Sequence, residues 1–467
     1  MQTYKTPLKP EHIWDGKFPP AQTWKGRLTG PDKQGRFSGG SGTQGDPFQI
    51  STAADLAQIS SDIASGASYY GLVYFKLMND IKLNDAPIDP ALVNPAIPGP
   101  GGYSGGAVNE WTPIGGAGAG TPGVNASYGF DGHFDGGGNT LYNAFYNQQD
   151  PDAGREAAPC NLVGIFGSIF SSGSLKNLNT QGGYIGGNIS VGGIVGRSWA
   201  HITNCHNGNF VYGIRQQGAG GVVGTSWGQV EVTARTTFIS FPRIDRCSNS
   251  GTVVSNFTNN RGNASGAAGG IVGENEGPVV NCWNTGLVSG LFNAAGIVGS
   301  NQDESSEAGD YDIVLDTPAY VNNCYNTGNI GAFAGLGSIP AIAATYAGGI
   351  IGFQTGSCQN VYNIGTISAG NTNGVAGQII GELSADTDET NDYLNYLTGP
   401  TQTEPVGTIA SGSIGSNVLP FSSTPAGKNL LLTSLKTWVG NSEGSMYAGW
   451  TRDTTNEINN GYPVLEL

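Results

Sequence analysis

Residues 269–290 read GGIVGENEGPVVNCWNTGLVSG, and this stretch decides the fold because its pattern recurs along the chain. The pattern begins with a short run of small and apolar residues, GGIVG, which is followed by a variable loop. A strand that contains Asn-Cys comes next, and then Gly and another apolar strand. Similar stretches begin at Val191, Gly220, Ala295 and Gly348, and weaker ones at Val163 and Gly377. A sequence motif that recurs along a chain in this way indicates a fold built of stacked structural repeats.

Each copy contains three short apolar stretches separated by Gly or Asn turns. None has the three-to-four-residue apolar spacing of a helix, and each has the length of a strand. One copy cannot bury its own apolar residues, but a stack of copies can. We therefore predict an all-β fold, a right-handed parallel β-helix (β-solenoid). The hand is chosen because strand–crossover–strand connections are right-handed in nearly all proteins.

Alignment of the copies predicts columns of equivalent residues, stacked at the ~4.8 Å spacing of neighbouring strands. One column holds asparagines, which tolerate left-handed corners and can hydrogen-bond to one another: Asn177, Asn204, Asn281, Asn323, Asn360 and Asn391, with Arg246 as the exception. The next column holds Leu178, Cys205, Cys247, Cys282, Cys324 and Val361. Cysteine that alternates with Leu and Val indicates a small buried apolar side chain. These cysteines, and also Cys160 and Cys358, are predicted to be free core thiols.

The pattern divides the chain into three regions. Residues 1–35 precede it and are predicted to be an N-terminal extension or docking arm. Residues 36–110 contain a predicted short capping helix, with Leu56, Ile59 and Ile63 at helical spacing, and the first coils. Such a helix would cover strand edges that are otherwise open to other chains. Residues 111–467 are predicted to be the β-helix built of repeats.

Composition excludes several classes of protein. The 467 residues include 77 glycines without a Gly-X-Y period, which excludes collagen. With 20 basic and 35 acidic residues, the net charge is −15, and no basic stripe is available for nucleic acid or an anionic membrane. No apolar run is long enough to insert into a membrane. A polar surface of low charge suits a secreted or cell-surface protein, so export is inferred from architecture.

The entry phrase FSGGSGTQGDPFQISTAADLAQIS (37–60), the GGIVG…NCYNTG unit and the closing NNGYPVL (459–465) resemble the bacterial GLUG-motif repeats. The resemblance runs from about Phe37 to the C-terminus and implies a secreted or surface β-solenoid. Repeats of this family occur on adhesin-like proteins and beside many activities, and some are attached to IgA-specific metallopeptidases. This chain has four histidines and no HExxH motif, so zinc-protease activity is not implied.

A first candidate site follows the cysteine column. Its members are His206, Ser248, Trp283, Tyr325 and Tyr362. Side chains alternate along a strand, so if the cysteines point inward these residues point outward. A row of exposed aromatic rings would offer apolar faces to sugar rings, and His206, Trp283, Tyr325 and Tyr362 are the predicted glycan-binding residues. The alternative is ordinary packing of aromatics under neighbouring loops.

Two further candidates involve carboxylates. Asp131 and Asp135 could act as acid and base in glycoside hydrolysis, although Asp before Gly also simply forms turns. The insertion between Ala295 and Val321 is acidic and could bind calcium, the one cofactor considered, through Asp303, Glu304, Asp310 and Asp312. A solvated acidic loop is the alternative there and for the stretch from Asp386 to Asp392.

These patterns favour a non-catalytic module that acts in adhesion or glycan binding at the cell surface or outside the cell. Its partner would be a polysaccharide or a host or cell-surface glycan. One alternative is a carbohydrate-active enzyme, a glycoside hydrolase or polysaccharide lyase, on the same scaffold. Another is a structural subunit of a surface layer or appendage that docks through residues 1–35.

Overall fold

The computed structural model of the chain is a stack of coils whose strands pair in parallel. The structure describes residues 37–64, 69, 71–116, 129–148, 161–214, 218–232, 237–256, 266–302, 306–307, 314–315, 319–370, 374–384, 391–397, 404–411, 414–442, 446–454 and 459–466. The predicted extension at residues 1–35 lies outside these ranges.

The largest sheet bends at a corner in each coil, and we call the strands before that corner the front strands and those after it the flank strands. The front strands are Phe48–Ile50, Tyr74–Leu77, His133–Asp135, Ser174–Lys176, His201–Thr203, Ile244–Asp245, Val279–Val280 and Tyr320–Asn322. The flank strands are Ile81–Lys82, Thr140–Tyr142, Phe145–Asn147, Asn179–Gly187, His206–Gly213, Ser248–Asn249, Val253–Ser255, Trp283–Asn284, Val288–Gly290, Tyr325–Asn326 and Val418–Phe421. Ser357–Asn363 and Asn391–Leu397 run through the corner.

Two more parallel sheets complete the coils. The first consists of Leu162–Val163, Ser190–Gly192, Ala219–Gly220, Ala267–Gly269, Asn293–Ala295, Tyr346–Gly348 and Val375–Gly377. The second consists of Phe166–Ile169, Val195–Ser198, Val223–Ser226, Val272–Asn275, Val298–Asn301, Ile351–Gln354, Ile380–Ser384 and Val406–Ser411. This arrangement is the predicted parallel β-helix.

Short antiparallel pairs of strands and helices lie outside the three parallel sheets. The pairs are Gln229–Val232 with Thr237–Ser240, Ser306–Glu307 with Val314–Leu315, Ala332–Phe333 with Ile342–Ala343, and Trp450–Arg452 with Pro463–Leu465. Pro90–Leu92 and Pro100–Gly102 are short 3₁₀ helices, and the α-helices are α1 (Ala53–Ala64) and α2 (Pro425–Asn441).

The paired glycines of the repeat let successive coils approach closely. A Cβ atom on Gly270 would overlap the carbonyl oxygen of Gly296 in the next coil. Beside them, Ile271 and Ile297 are fully buried in the central apolar cluster. In the GGIVG segment, the glycines therefore leave room for the backbone of the next coil, and the isoleucine fills the core.

The predicted asparagine column forms the corner between the front and flank strands. Asn204 Nδ2 donates to Asn177 Oδ1 at 2.8 Å, and Asn323 Nδ2 donates to Asn281 Oδ1 at the same distance. All column members adopt positive φ values between 53° and 58°, namely Asn177, Asn204, Arg246, Asn281, Asn323 and Asn360. The prediction for Asn391 is wrong. Tyr393 occupies the corner with φ 51°, because Val361 pairs with Leu394.

Asn391 instead ends a different amide ladder. Gln354 Nε2 donates to Asn391 Oδ1 at 3.3 Å, and Asn301 Nδ2 donates to Gln354 Oε1 at 3.0 Å. A third ladder, not predicted from the sequence, runs inside the flank strands through Asn207, Asn249, Asn284, Asn326 and Asn363, with Nδ2–Oδ1 distances of 2.7–2.8 Å. The side-chain amides of these ladders are thus buried with a hydrogen-bond partner in a neighbouring coil.

The cysteines are core residues, as predicted. The five described cysteines, Cys205, Cys247, Cys282, Cys324 and Cys358, are free and buried. The thiol of Cys282 donates to the carbonyl oxygen of Val280 at 3.1 Å, and burial raises its pKa above the usual value. Cys160 lies outside the described residues.

The predicted capping helix is α1. Thr52 Oγ1 accepts from the Asp55 amide at 3.1 Å, and Asp55 Oδ2 accepts from the Thr52 amide at 2.9 Å. This reciprocal pair fixes the first turn of the helix. Leu56, Ile59 and Ile63 are at most 1% exposed, so α1 packs its apolar face into the core of the β-helix.

The last coil strand ends at Phe421, so the predicted β-helix region, 111–467, extends too far. The chain then folds back along the flank of the stack. We call α2 and the hairpin of Trp450–Arg452 with Pro463–Leu465 the C-terminal strap. The predicted closing turn is present within it, with φ 50° at Asn460 and a hydrogen bond from the Tyr462 amide to the Asn459 carbonyl oxygen at 2.9 Å.

Candidate functional site

The predicted aromatic column exists and its rings stack. His206 pairs with Ser248, Ser248 with Trp283, Trp283 with Tyr325, and Tyr325 with Tyr362. The ring centroids of Trp283 and Tyr325 are 6.2 Å apart with planes inclined by 8°, and those of Tyr325 and Tyr362 are 5.2 Å apart at 3°. These side chains point away from the coil core.

The expectation that this column is exposed is wrong for its two tyrosines. Tyr325 is 4% exposed and Tyr362 is fully buried, because the C-terminal strap packs over them. The ring of Trp450 lies 5.7 Å from that of Tyr362, and the Tyr362 hydroxyl donates to the carbonyl oxygen of Pro463. The alternative interpretation, aromatics packed under another segment of the chain, describes Tyr325 and Tyr362.

The two other members of the predicted site lie toward the edge of the strap. Trp283 is partly buried against the strap, and His206 is partly exposed. His206 Nδ1 is 2.8 Å from Ser248 Oγ, and Nε2 is 3.1 Å from Ser250 Oγ. Desolvation lowers the pKa of His206, so its ring stays neutral at neutral pH.

Upstream of the strap, two columns of outward-facing residues on the front strands reach solvent, except for Asp245 at their downstream end, which is 7% exposed, and we call these columns the open strip. The first contains Tyr74, His133, Ser174 and His201, followed by Arg243. The second contains Lys76, Asp135, Lys176, Thr203 and Asp245. Parallel pairing without a register shift brings these residues, distant in sequence, side by side.

The upstream end of the open strip forms a cleft of about 330 Å³. Its lining includes Gln44, Tyr74, Lys76, His133, Asp135 and Lys176. The cleft therefore combines two aromatic rings with two amines, a carboxylate and an amide, each able to contact a polar ligand.

The two rings of the cleft form a fixed unit. The centroids of Tyr74 and His133 are 4.4 Å apart, with planes inclined by 28°. His133 Nε2 is 3.0 Å from the carbonyl oxygen of Gly71, and Nδ1 is 2.8 Å from Ser174 Oγ. Because a carbonyl oxygen only accepts, Nε2 carries a proton, and the imidazole is held at both nitrogens. The stacked pair is thus oriented before any ligand arrives.

Asp135 is held as an anion. Its Oδ1 accepts from Asn177 Nδ2 and from the Gly137 amide, each at 2.9 Å, and Oδ2 lies 3.6 Å from Lys176 Nζ. Burial raises the pKa of Asp135, but these hydrogen bonds and the charges of Lys176 and Lys76 together hold it below its usual value. A carboxyl group in this state does not donate a proton at neutral pH.

Asp131, the other predicted catalytic candidate, has a different environment. It is 6% exposed, and its Oδ1 accepts from the Tyr69 amide at 2.6 Å. Asp135 lines the cleft, whereas Asp131 is not among its lining residues. The structure therefore does not place the two carboxylates on opposite sides of one cleft, the arrangement that glycoside hydrolysis needs.

The calcium prediction stays a prediction. Asp303, Glu304, Asp310 and Asp312 lie outside the described residues. In the acidic stretch further on, Asp392 is described, and its carboxylate accepts from the backbone amide and from the side chain of Asn417, both at 2.8 Å. Among the residues that the structure describes, no group of three His, Cys, Asp or Glu side chains could hold a metal ion.

The sequence did not reveal the open strip. Tyr74 and His133 belong to the first coils, which lack the repeated phrase, so no alignment places them beside Ser174 and His201. The alternation of apolar and polar residues in YFKL and HFD shows which residues point outward, and this was the available signal. Their proximity to one another depends on the register of coils with different loop lengths.

Within the described part of the chain, no helix has the length and apolar character needed to cross a bilayer. No family model matches the chain. A provisionally named Gly-rich membrane protein of Evansella cellulosilytica is 29% identical over 171 residues, which are 36% of this chain and 15% of that protein. The chain thus matches a small part of that relative.

Among solved structures, the chain is similar to a provisionally named immunoglobulin A1 protease from Bacteroides ovatus. The two share 19% identity with a TM-score of 0.49, over 94% of this chain and 98% of the other. Similarity at this level does not transfer an activity.

Proposed function

We propose that this chain is a non-catalytic glycan-binding module of the cell surface or extracellular space, and that the open strip is its binding face. The observation that carries the proposal is the stacked, hydrogen-bonded pair of Tyr74 and His133 in an uncovered cleft. An aromatic ring offers an apolar face to the C–H face of a sugar, while Lys76, Asp135 and Gln44 offer hydrogen bonds to its hydroxyl groups.

Three features support binding over catalysis. The pair of rings is rigid, which reduces the entropy lost on binding. Asp135, the one carboxylate among the described residues that line the cleft, is anionic, and its Oδ1 already accepts two hydrogen bonds. The β-helix places equivalent strands at a regular spacing, so an extended polymer can run along the strip and contact several coils.

Affinity electrophoresis through gels cast with plant, mucosal and bacterial polysaccharides tests the proposal. Retarded migration of the wild-type protein with the polymer intact is expected for at least one polysaccharide. Tyr74→Ala should weaken that retardation about tenfold, the factor that ~1.4 kcal/mol produces. Trp283→Ala is the matched control, since it removes an aromatic ring from the covered column and should retain binding.

The other outcomes are equally informative. Loss of binding in Trp283→Ala but not in Tyr74→Ala would move the site to the column at the edge of the strap. A cleared zone around the band would contradict a non-catalytic role and support a hydrolase or lyase. Free migration across the panel, with self-assembly that depends on residues 1–35, would support a structural subunit.

A further inference from the structure

The open strip carries positive charge in a protein whose net charge is −15. Two groups of charged residues lie along it, each with one carboxylate between two cations. The upstream triad is Lys76, Asp135 and Lys176 of the strip. The downstream triad combines Arg243 and Asp245 of the strip with Arg246, the corner residue that follows Asp245. Each triad therefore has one positive charge in excess.

The two triads differ in how tightly they are built. In the upstream triad, the side chain of Lys176 is 56% exposed, and its Nζ lies 3.6 Å from Asp135 Oδ2, so the amine can reach a ligand. In the downstream triad, Arg246 Nη1 lies 2.9 Å from Asp245 Oδ2, and its side chain is 36% exposed. Arg243 Nη2 also donates to the carbonyl oxygen of Met446 at 3.3 Å, at the edge of the strap.

The spacing of the triads suits a polymer. Asp135 and Asp245 occupy the same column and are separated by three strand spacings, about 14 Å. Between them the column holds Lys176 and Thr203, and the neighbouring column holds Ser174 and His201, and none of these residues is acidic. Beyond the downstream triad, the strap closes the face.

We infer that the open strip binds an extended acidic polysaccharide, with one anionic sugar held by Lys76 and Lys176 beside the Tyr74–His133 rings and another by Arg243 and Arg246. This inference rests on the proposed glycan-binding function and adds the class of glycan. Amines and guanidinium groups form charge-assisted hydrogen bonds with carboxylate or sulfate oxygens. The surplus charge of each triad selects such sugars over neutral ones.

The experiment compares three polymers by isothermal titration calorimetry: a polyuronate, the same polymer after carboxyl reduction, and a sulfated glucan. The acidic polymers should bind at least about tenfold more tightly than the reduced polymer, a difference of ~1.4 kcal/mol. Whichever acidic polymer binds more tightly identifies carboxylate or sulfate as the preferred group. Affinity should fall as ionic strength rises from about 0.1 to about 1 M, since the Debye length falls from ~10 to ~3 Å.

Variants separate this inference from the proposed function. Lys76→Ala with Lys176→Ala should reduce affinity for the acidic polymers much more than affinity for the reduced polymer, whereas Tyr74→Ala should weaken binding of both to a similar extent. Lys436→Ala, on the exposed face of α2, removes a lysine outside the strip and is the control for the effect of net charge per lysine removed.

Equal affinity for the acidic and reduced polymers, or unchanged affinity in the lysine variants, would overturn the inference while leaving glycan binding intact. Absence of binding to every polymer would overturn both. Equally tight binding of single-stranded RNA would also overturn the inference, because charge alone, without sugar stacking, would then select the ligand.

Discussion

The left-handed corner after each front strand depends on one residue per coil. Asparagine suits this corner for two reasons. It tolerates positive φ, and its side-chain amide can form a hydrogen bond with the side-chain amide of the corner asparagine in the neighbouring coil. Asn360 Nδ2 donates to Asn323 Oδ1 at 2.7 Å, but no donor among the described residues reaches the buried Oδ1 of Asn360. The next corner residue is Tyr393, whose side chain has no amide group to donate.

Replacing Tyr393 with asparagine should therefore extend the ladder by one step. In Tyr393→Asn, the new Nδ2 would donate to Asn360 Oδ1, and the left-handed corner would hold a residue that adopts it readily. We expect the free energy of unfolding to rise by about 1 kcal/mol, as a satisfied buried acceptor contributes. Urea denaturation followed by circular dichroism measures it.

The control for this substitution is Tyr393→Ala. Alanine also removes the phenol ring but supplies neither an amide nor tolerance of positive φ, so it should lower stability. If the asparagine variant proves no more stable than the alanine variant, the ladder is not what stabilises this corner.

The column of corner residues shows how much of this structure the sequence pattern predicts. Six of the seven positions assigned to the column are correct, because the phrase around Asn-Cys is strongly repeated. The assignment failed at Asn391 because the last repeat lacks that phrase, and a displacement of two residues keeps the alternation of side chains intact. The internal ladder through Asn284 was missed because buried asparagine in a strand is indistinguishable by sequence from a turn residue.

At the scale of elements, the C-terminal strap determines which outward-facing residues reach solvent. Its position could not be predicted, since the repeats specify how coils stack but not where a segment beyond the last coil packs. The strap is held by apolar contact and by polar anchors: Trp450 Nε1 donates to Asn323 Oδ1 at 2.6 Å, and Trp438 Nε1 donates to Gln359 Oε1 at 3.0 Å. The predicted glycan platform was therefore right in its register and wrong in the exposure of Tyr325 and Tyr362.

Trp450→Ala should detach the strap without unfolding the coils. Trp450 belongs to the strap and is fully buried against the rings of Tyr325 and Tyr362, so its removal should cost the strap about 4 kcal/mol. Hydrogen exchange should show lost protection in α2 and the hairpin, with protection retained in the upstream coils.

Trp450→Phe is the matched variant, because it keeps an aromatic ring but loses the hydrogen bond to Asn323 and part of the volume of the indole. It should cost about 2 kcal/mol, less than Trp450→Ala, and leave the strap in place. Loss of protection in the coils around Tyr74 and His133, in either variant, would show that the strap and the stack unfold as one unit.

At the scale of the whole molecule, each coil contacts mainly its neighbours, so the stack should tolerate removal of one complete coil. Asn177 and Asn204 occupy equivalent corners 27 residues apart. Deleting residues 178–204 joins Asn177 to Cys205. The strands on the two sides of the removed coil could then pair with each other in the original register: Thr140 would pair with His206, and Val163 with Ala219. The open cleft and the strap are untouched by this deletion.

We expect the shortened protein to fold with a cooperative thermal transition and to retain binding at the Tyr74–His133 cleft. Deletion of residues 178–190, about half of that coil, is the control, because it leaves the strands out of register and exposes apolar residues that the stack should bury. Circular dichroism melts and the affinity gels described above distinguish the two. Equal behaviour of the two deletions would mean that stability does not depend on coil-to-coil register. Folding of the complete-coil deletion alone would show that register between neighbours specifies this molecule and places the residues of its open strip.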